Sequence, residues 1–278
     1  MEIHPLTPHL GAVVTGFDVS KDLSDEAFQT LKALYLDWSV LVFPDQILSQ
    51  AQHKSLASRF GALHTHPMHA RQQQGDPNIL KVVTNQNSAY TAGEGWHTDV
   101  TCDALPPQCS LLYVTKTPEG GGGDTLFADM YLAYELLSDP MKRFLSGLTA
   151  IHDGALPYVG AYKSVPPDGG YPRNEHPVVV KHPETGRPVL YVNSGFTSRI
   201  KGLSQKESKA LLDFLFQHIA TTPKLTARVN WQPNTLTLWD NRCTQHHSVW
   251  DYYPNSRYGE RVSVIANERP VAYQLGTA

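Results

Sequence analysis

The sequence predicts a mainly β domain, an antiparallel barrel or sandwich with flanking helices. Three observations predict it: many short apolar runs punctuated by turn residues, helical periodicity confined to residues 23–60, 131–148 and one late segment, and no βαβ rhythm. No internal repeat is visible, so a solenoid is excluded.

Residues 23–38 place Ala27, Phe28, Leu31, Leu34 and Tyr35 at helical spacing behind Ser24, a good N-cap, so a surface helix with one buried face is expected. The run Ser39-Val40-Leu41-Val42-Phe43, closed by Pro44-Asp45, reads as a core strand. A second helix is expected over 49–60, ended by Gly61 in a left-handed conformation, so that helix, strand and helix open the fold. Residues 79–83 read as a short strand, and 84–107 as an irregular loop bearing Gly93 and Gly95, long enough to carry function. Strand character returns at 109–114, and a four-glycine turn at 120–123 leads into Asp124-Thr125-Leu126-Phe127. Residues 131–148 read as two short helices, because Ser138-Asp139-Pro140 interrupts the period. Residues 153–177, rich in Gly, Pro and Tyr with no period, are either a flap over a site or a plain insertion. Strands at 178–181 and 189–192 form a hairpin through 182–186. Ser204 and Glu207 make a capping box for a helix carrying Leu211, Leu212, Leu215, Phe216 and Ile219. Strands at 225–231, 235–239 and 261–266 follow, the last two separated by the polar stretch 240–260.

A hydrophobic content of 41% supplies a core for one domain over residues 1–278 and excludes disorder. Lys+Arg 23 against Asp+Glu 26 leaves no basic field to hold a nucleic acid. Cys102, Cys109 and Cys243 contain no C-x-x-C pair and suit a reducing compartment. With no secretory pattern in residues 1–10 and no apolar run approaching about 18 residues, a soluble cytoplasmic protein without a membrane partner is expected. Histidine is the unusual count, 13 residues or about twice ordinary usage, so the histidines are where chemistry is sought.

Trp96-His97-Thr98-Asp99 lies in the glycine-bearing loop, and in an extended backbone His97 and Asp99 point the same way and could reach one ion. Gln245-His246-His247, after the strand at 235–239, could add a third ligand from either histidine. Two imidazoles and a carboxylate are the facial set of non-haem Fe(II) centres with open positions. Zinc also accepts this set, which would point to hydrolysis instead. His-x-Asp alone is a weak signal whose competing reading is a polar loop turn. Arg257 and Arg261 follow on the C-terminal side; beside a metal, two guanidiniums suit two anions gripped bidentately, and away from one they are ordinary surface arginines.

Taken together, Phe60-Gly-Ala-Leu-His64 with His66-Pro67, Trp96-His-Thr-Asp99, Gly122-Gly-Asp-Thr125, Tyr191-Val-Asn193, and Trp239-Asp-Asn-Arg-Cys-Thr-Gln-His246 with Arg257 and Arg261 run in an order and spacing that resembles the taurine dioxygenase family over almost the whole chain. These are Fe(II)/2-oxoglutarate-dependent dioxygenases acting on sulfonates, alkyl sulfates and aryloxyalkanoates. The resemblance implies a double-stranded β-helix (jelly-roll) core. It implies Fe(II) on His97, Asp99 and His246, with His247 a neighbour, and 2-oxoglutarate and O₂ as co-substrates. It further implies Thr125 and Arg257 on the distal carboxylate of 2-oxoglutarate, Arg261 and His66 on the anionic group of a small organic substrate, and a dimer or tetramer.

The expected reaction hydroxylates the carbon next to that anionic group and yields succinate and CO₂; a sulfonate, sulfate ester or aryl ether on that carbon then leaves. The alternative within the same chemistry is a hydroxylase of an amino acid or natural-product intermediate that keeps a stable alcohol, and outside it a non-catalytic scaffold. Where the taurine enzymes carry asparagine, tyrosine and phenylalanine near the substrate, this chain has Gly93, His69 and Cys102, so a roomier pocket and a larger anion are expected. Val100 is expected to line it, with Trp250, Tyr158 and Phe196 as candidate apolar walls.

Overall fold

The computed structural model of the chain describes residues 1–67 and 75–275. Among these, the chain opens with β1 (Glu2–Pro5), β2 (Ala12–Thr15), α1 (Asp25–Trp38), β3 (Val40–Phe43), α2 (Gln50–Ser58) and β4 (Leu80–Thr84). A long loop precedes β5 (Pro107–Lys116), β6 (Thr125–Asp129), α3 (Met130–Glu135), α4 (Asp139–Leu145) and β7 (Thr149–Asp153). A π-helical turn (Leu156–Ala161) leads to β8 (Arg173–Pro177), β9 (Val179–Lys181), β10 (Pro188–Leu190), β11 (Thr197–Ile200) and α5 (Gln205–Ala220). Last come β12 (Thr226–Val229), β13 (Thr235–Asp240), β14 (Thr244–Ser248), β15 (Arg257–Ile265) and β16 (Val271–Ala272).

The major sheet has the order β1-β2-β3-β13-β5-β15-β4, and a smaller sheet, β12-β6-β14, packs over it. Val40, Val42, Leu112 and Trp239 from the major sheet meet Phe127, Ala227 and Val229 from the smaller one in a single apolar cluster. This is a jelly-roll core with flanking helices. On the outer face of the major sheet, Leu41, Phe43, Leu111, Leu236 and Leu238 pack under Phe28, Leu31 and Tyr35 of α1 and Leu56 of α2. Alternate residues of one strand thus serve two clusters, which is why β3 and β5 read as continuous apolar runs. The helices start where side chains can satisfy their first amides: Ser24 caps α1, and full capping boxes open α2 (Ser49 with Gln52) and α5 (Ser204 with Glu207). Pro140 sits in the first turn of α4, where its missing N–H costs nothing.

Four expectations are corrected. Two strands precede the first helix, and β2 pairs in parallel with β3 through α1, a crossover hidden because β1 is exposed throughout and β2 has only four residues. Gly61 does not close α2 in a left-handed conformation; Arg59 caps it in the right-handed region, and Gly61, at φ 150°, is small because a Cβ there would stand 3.1 Å from Gln108 and Val264. The stretch 153–177, expected as a flap over a site or a plain insertion without periodic structure, ends in β8, a polar strand paired with β7. The polar stretch 240–260 contains β14, and β15 begins at Arg257 rather than Arg261. No helix among the described residues is long and apolar enough to cross a membrane.

His53 of α2 is buried, donates from Nε2 to the Leu111 carbonyl at 3.1 Å, and is pushed by burial from 6.5 to about 4. Below pH 6.5 the unfolded chain takes up a proton that the native imidazole refuses, so this group costs stability as pH falls toward about 4, by about 1.4 kcal/mol per pH unit. His53→Gln keeps a donor and removes the titration. Its urea-unfolding free energy should fall less steeply with acidification over that window than the wild type's, and parallel slopes would contradict the assignment.

Candidate metal centre

The loop before β5 is pinned to β14 by two backbone hydrogen bonds, His97 N–H to the His246 carbonyl at 3.1 Å and His246 N–H to the His97 carbonyl at 2.8 Å. Residues paired this way present their side chains on one face, and the two imidazole centroids lie 4.1 Å apart. Asp99, two residues on, falls on the same side: its Oδ1 is 3.8 Å from His97 Nε2 and 3.9 Å from His246 Nε2. The three side chains offer ligand atoms that all lie within 4.8 Å of one another.

Local packing fixes each of them. His246 stands on β14 opposite Phe127 and against the Trp239 ring, with centroids 5.0 Å apart. His97 is admitted between two glycines, since a Cβ at Gly195 would come within 2.8 Å of His97 Cβ and one at Gly93 within 3.0 Å of its Cε1. Asn241 clamps Asp99 from both sides, accepting from its N–H at 2.9 Å and donating to its carbonyl at 3.0 Å. Val100 follows at φ 48°, a conformation that β-branched residues avoid at a cost on the order of 1–3 kcal/mol, so the surrounding clamp holds strained backbone beside the carboxylate.

Arg261 Nη1 donates to Asp99 Oδ1 at 2.7 Å, and Ser110 Oγ donates to Oδ2 at 3.1 Å. Burial pushes the Asp99 carboxyl up, but the charge of Arg261 outweighs it and holds the group below the ordinary carboxylate range. Burial lowers both His97 and His246, leaving neutral imidazoles. His97 donates from Nδ1 to the Gly95 carbonyl at 2.9 Å, which places the lone pair on Nε2, facing the other two groups. An ionised carboxylate with two neutral imidazoles fits a divalent ion of the iron type.

Arg257 and Arg261 lie four residues apart on β15, hence on one face. Arg261 is the cross-strand partner of Leu112, a residue of the cluster between the sheets. Arg257 is buried, its Nε and Nη2 have no hydrogen-bond partner among the described residues, and its guanidinium lies 5.1 Å over the Trp231 ring. Trp231 in turn donates to Thr125 Oγ1 at 3.0 Å, leaving the Thr125 hydroxyl proton to serve another acceptor. Burial lowers the pKa of Arg257, a penalty that a bound carboxylate would relieve. His66 and Arg261 line one small cavity. Val100, Cys102, Tyr158 and Phe196 form an apolar cluster beside Asp99, edged by Tyr162, whose hydroxyl accepts from Gly93 N–H at 3.0 Å.

Several expectations change here. The Tyr158 ring belongs to the same apolar cluster as Cys102, and a cavity of about 10 Å³ lies between His66 and Arg261. Trp250 packs edge-on against Tyr253 at 6.2 Å and is not part of the apolar cluster. His69 lies outside the described residues. His247 points away from the triad, as the alternation of β14 requires, and its ring meets Trp96 edge-on. A second trio, His182, Asp240 and Cys243, also converges, but Arg242 occupies both carboxylate oxygens, His182 Nε2 bonds Asp240, and its Nδ1 accepts backbone amides. That trio fastens the β9–β10 turn to the barrel. A hollow of about 400 Å³ lies away from the triad, and Lys32 and Arg242 on its wall are already paired to Glu184. Sequence reasoning missed Asn241, Ser110 and Trp231; Asn241 stood inside a recognised block, but nothing in its residue type announces a backbone clamp.

The sequence profile of the Taurine catabolism dioxygenase TauD, TfdA family matches residues 2–263. An alpha-ketoglutarate-dependent sulfonate dioxygenase of Saccharomyces cerevisiae is 33% identical over 98% of this chain and 68% of its own length. An alkylsulfatase of Acinetobacter baylyi is 32% identical over 99% of this chain and 88% of its own. A solved taurine dioxygenase from Burkholderia xenovorans superposes with a TM-score of 0.82 at 31% identity, covering 99% of this chain and 96% of that one.

Because a Cβ at Gly195 would meet His97 Cβ at 2.8 Å, Gly195→Ala must move the imidazole. Its affinity for Fe(II) or Co(II), measured by anaerobic titration, should drop roughly 10- to 100-fold, the range found when groups supporting a metal ligand are removed. Wild-type affinity in the variant would contradict the packing argument.

Proposed function

Since the chain belongs to the taurine catabolism dioxygenase TauD, TfdA family, we propose that it is a 2-oxoglutarate-dependent dioxygenase of a small organic anion. The reaction hydroxylates the carbon next to a sulfonate, sulfate ester or aryloxyalkanoate group: one oxygen atom of O₂ enters that C–H bond, the other enters succinate, and CO₂ is released. The observation that carries this reading is the convergence of His97, Asp99 and His246 in the same interior as a buried guanidinium, Arg257, with unused donors.

His97, Asp99 and His246 would hold Fe(II), which supplies the redox chemistry that couples decarboxylation of 2-oxoglutarate to O₂. Arg257 grips the distal carboxylate of 2-oxoglutarate through its free Nε and Nη2, and the Thr125 hydroxyl donates to the same group. Arg261 keeps Asp99 ionised through Nη1 and retains a buried Nε, without a partner among the described residues, to donate to the substrate anion, with His66 across the same cavity. Val100, Cys102 and Phe196 form the apolar wall that holds the substrate body and excludes water.

The test is succinate production from 2-oxoglutarate with Fe(II) and O₂, stimulated by members of a panel of sulfonates, alkyl sulfates and aryloxyalkanoates. Release of sulfite, sulfate or a phenol distinguishes the proposed outcome from a stable alcohol, and no stimulation by any panel member would overturn the substrate assignment. Arg257→Ala should raise KM for 2-oxoglutarate roughly 10- to 100-fold, the loss expected for hydrogen bonds to a charged group. An unchanged KM, with that for the organic anion raised instead, would reverse the roles of the two arginines.

A further inference from the structure

The hollow of about 400 Å³ has no role in the reaction proposed above, yet its size falls in the range that small-molecule ligands occupy. Pro107 and Gln108, at the start of β5, form part of its wall, together with the β9–β10 turn and the segment joining β15 to β16. Phe60, Val180, Tyr191 and Pro270 make much of the remaining lining apolar. Of the charged side chains there, Lys32 and Arg242 are matched by Glu184, at 2.6 and 2.8 Å, and Arg242 also by Asp240. The charges that remain are the exposed Lys181 and Arg269 against Glu268, a positive excess. An apolar lining with a cationic excess suits an organic anion that has an apolar body. The hollow is also tied to the candidate metal centre. Asn241 N–H donates to the Gln108 carbonyl at 3.0 Å, and Asn241 Nδ2 donates to the Pro107 carbonyl at 2.8 Å. The same Asn241 side chain holds the N–H and the carbonyl of Asp99. Gln108 is itself fixed, its Nε2 donating to the carbonyls of Phe60 and Ile265 at 3.0 and 3.2 Å. One residue thus separates the wall of the hollow from the backbone of a metal ligand.

We infer that this hollow is a second ligand site, for an organic anion with an apolar body, and that its occupant alters the affinity of the metal centre through Asn241. A ligand seated against Pro107 and Gln108 shifts the two carbonyls that hold Asn241, and Asn241 carries the shift to Asp99, whose neighbour Val100 is already strained. The coupling is reciprocal, so the ion changes the affinity of the anion by the same factor. The ligand site stands on the hollow alone, and the coupling rests on the metal centre assigned above.

The experiment uses the full chain and two fluorescent probes that share their rings, 1-anilinonaphthalene-8-sulfonate and N-phenyl-1-naphthylamine, which lacks the sulfonate. Without metal, the wild type should bind the sulfonate more tightly than the uncharged probe. The double variant Lys181→Glu, Arg269→Glu, altered only at exposed positions, should bind the sulfonate roughly tenfold more weakly, as reversal of two exposed charges implies. No sulfonate binding by the wild type, equal or tighter binding of the uncharged probe, or unchanged sulfonate affinity in the double variant would overturn the site. In the second arm, saturating sulfonate probe should change the Co(II) affinity of the wild type roughly fivefold or more, and the same probe concentration should have a smaller effect on the double variant. Co(II) affinity that is indifferent to the probe, or that shifts equally in the two forms, would overturn the coupling. A wild type that binds the sulfonate as expected but takes up no Co(II) would overturn the metal centre, and the coupling with it, while the ligand site stands.

Discussion

Two backbone hydrogen bonds between His97 and His246 hold the candidate site together. They join a loop that precedes β5 to a strand near the C-terminus and so place two imidazoles and, by strand alternation, the Asp99 carboxylate on one face. A backbone bridge is a sound device for this purpose, because its geometry does not depend on the charge state of the side chains it positions. The Arg261–Asp99 pair then settles the electrostatics. A buried carboxylate would otherwise drift toward its neutral acid, and the guanidinium keeps it anionic.

The jelly roll supplies what such a site needs from its surroundings. β15 lies between β4 and β5, so Arg257 and Arg261 project inward from a strand paired on both edges, while Val262 and Val264 on its other face pack under the helices. Side chains on such a strand have little freedom to wander, which favours precise placement of anions. The strained Val100 backbone persists because Asn241 holds Asp99 through two hydrogen bonds and the aromatic cluster encloses the valine side chain.

Much of the scaffold is legible in the sequence wherever local chemistry and tertiary packing agree. Ser24, Ser49 and Ser204 mark helix starts because a hydroxyl at that point satisfies amides the helix cannot. The runs 40–43 and 109–114 announce themselves because both faces are buried. β14 is invisible to the same reading, since its inward positions are Thr244, His246 and Ser248, and a strand that spends its buried face on a polar site carries no apolar alternation. β8 escapes for a related reason, being a polar strand at a sheet edge. In the site, residue spacing points to His97 and Asp99 because two residues in an extended segment share a face. Arg261 gripping Asp99, Asn241 clamping its backbone and Trp231 bridging Arg257 to Thr125 are contacts between distant segments, and they emerge only once the sheets are assembled.

The most direct measurement is the Co(II)-binding stoichiometry and visible spectrum of the protein under anaerobic conditions, compared across His97→Ala, Asp99→Ala, His246→Ala and His247→Ala. If three side chains share one ion, the wild type takes up a single Co(II) per chain, each of the first three substitutions abolishes tight binding, and His247→Ala retains it. Wild-type Co(II) affinity in any of the first three variants, or its loss in His247→Ala, would contradict the shared site.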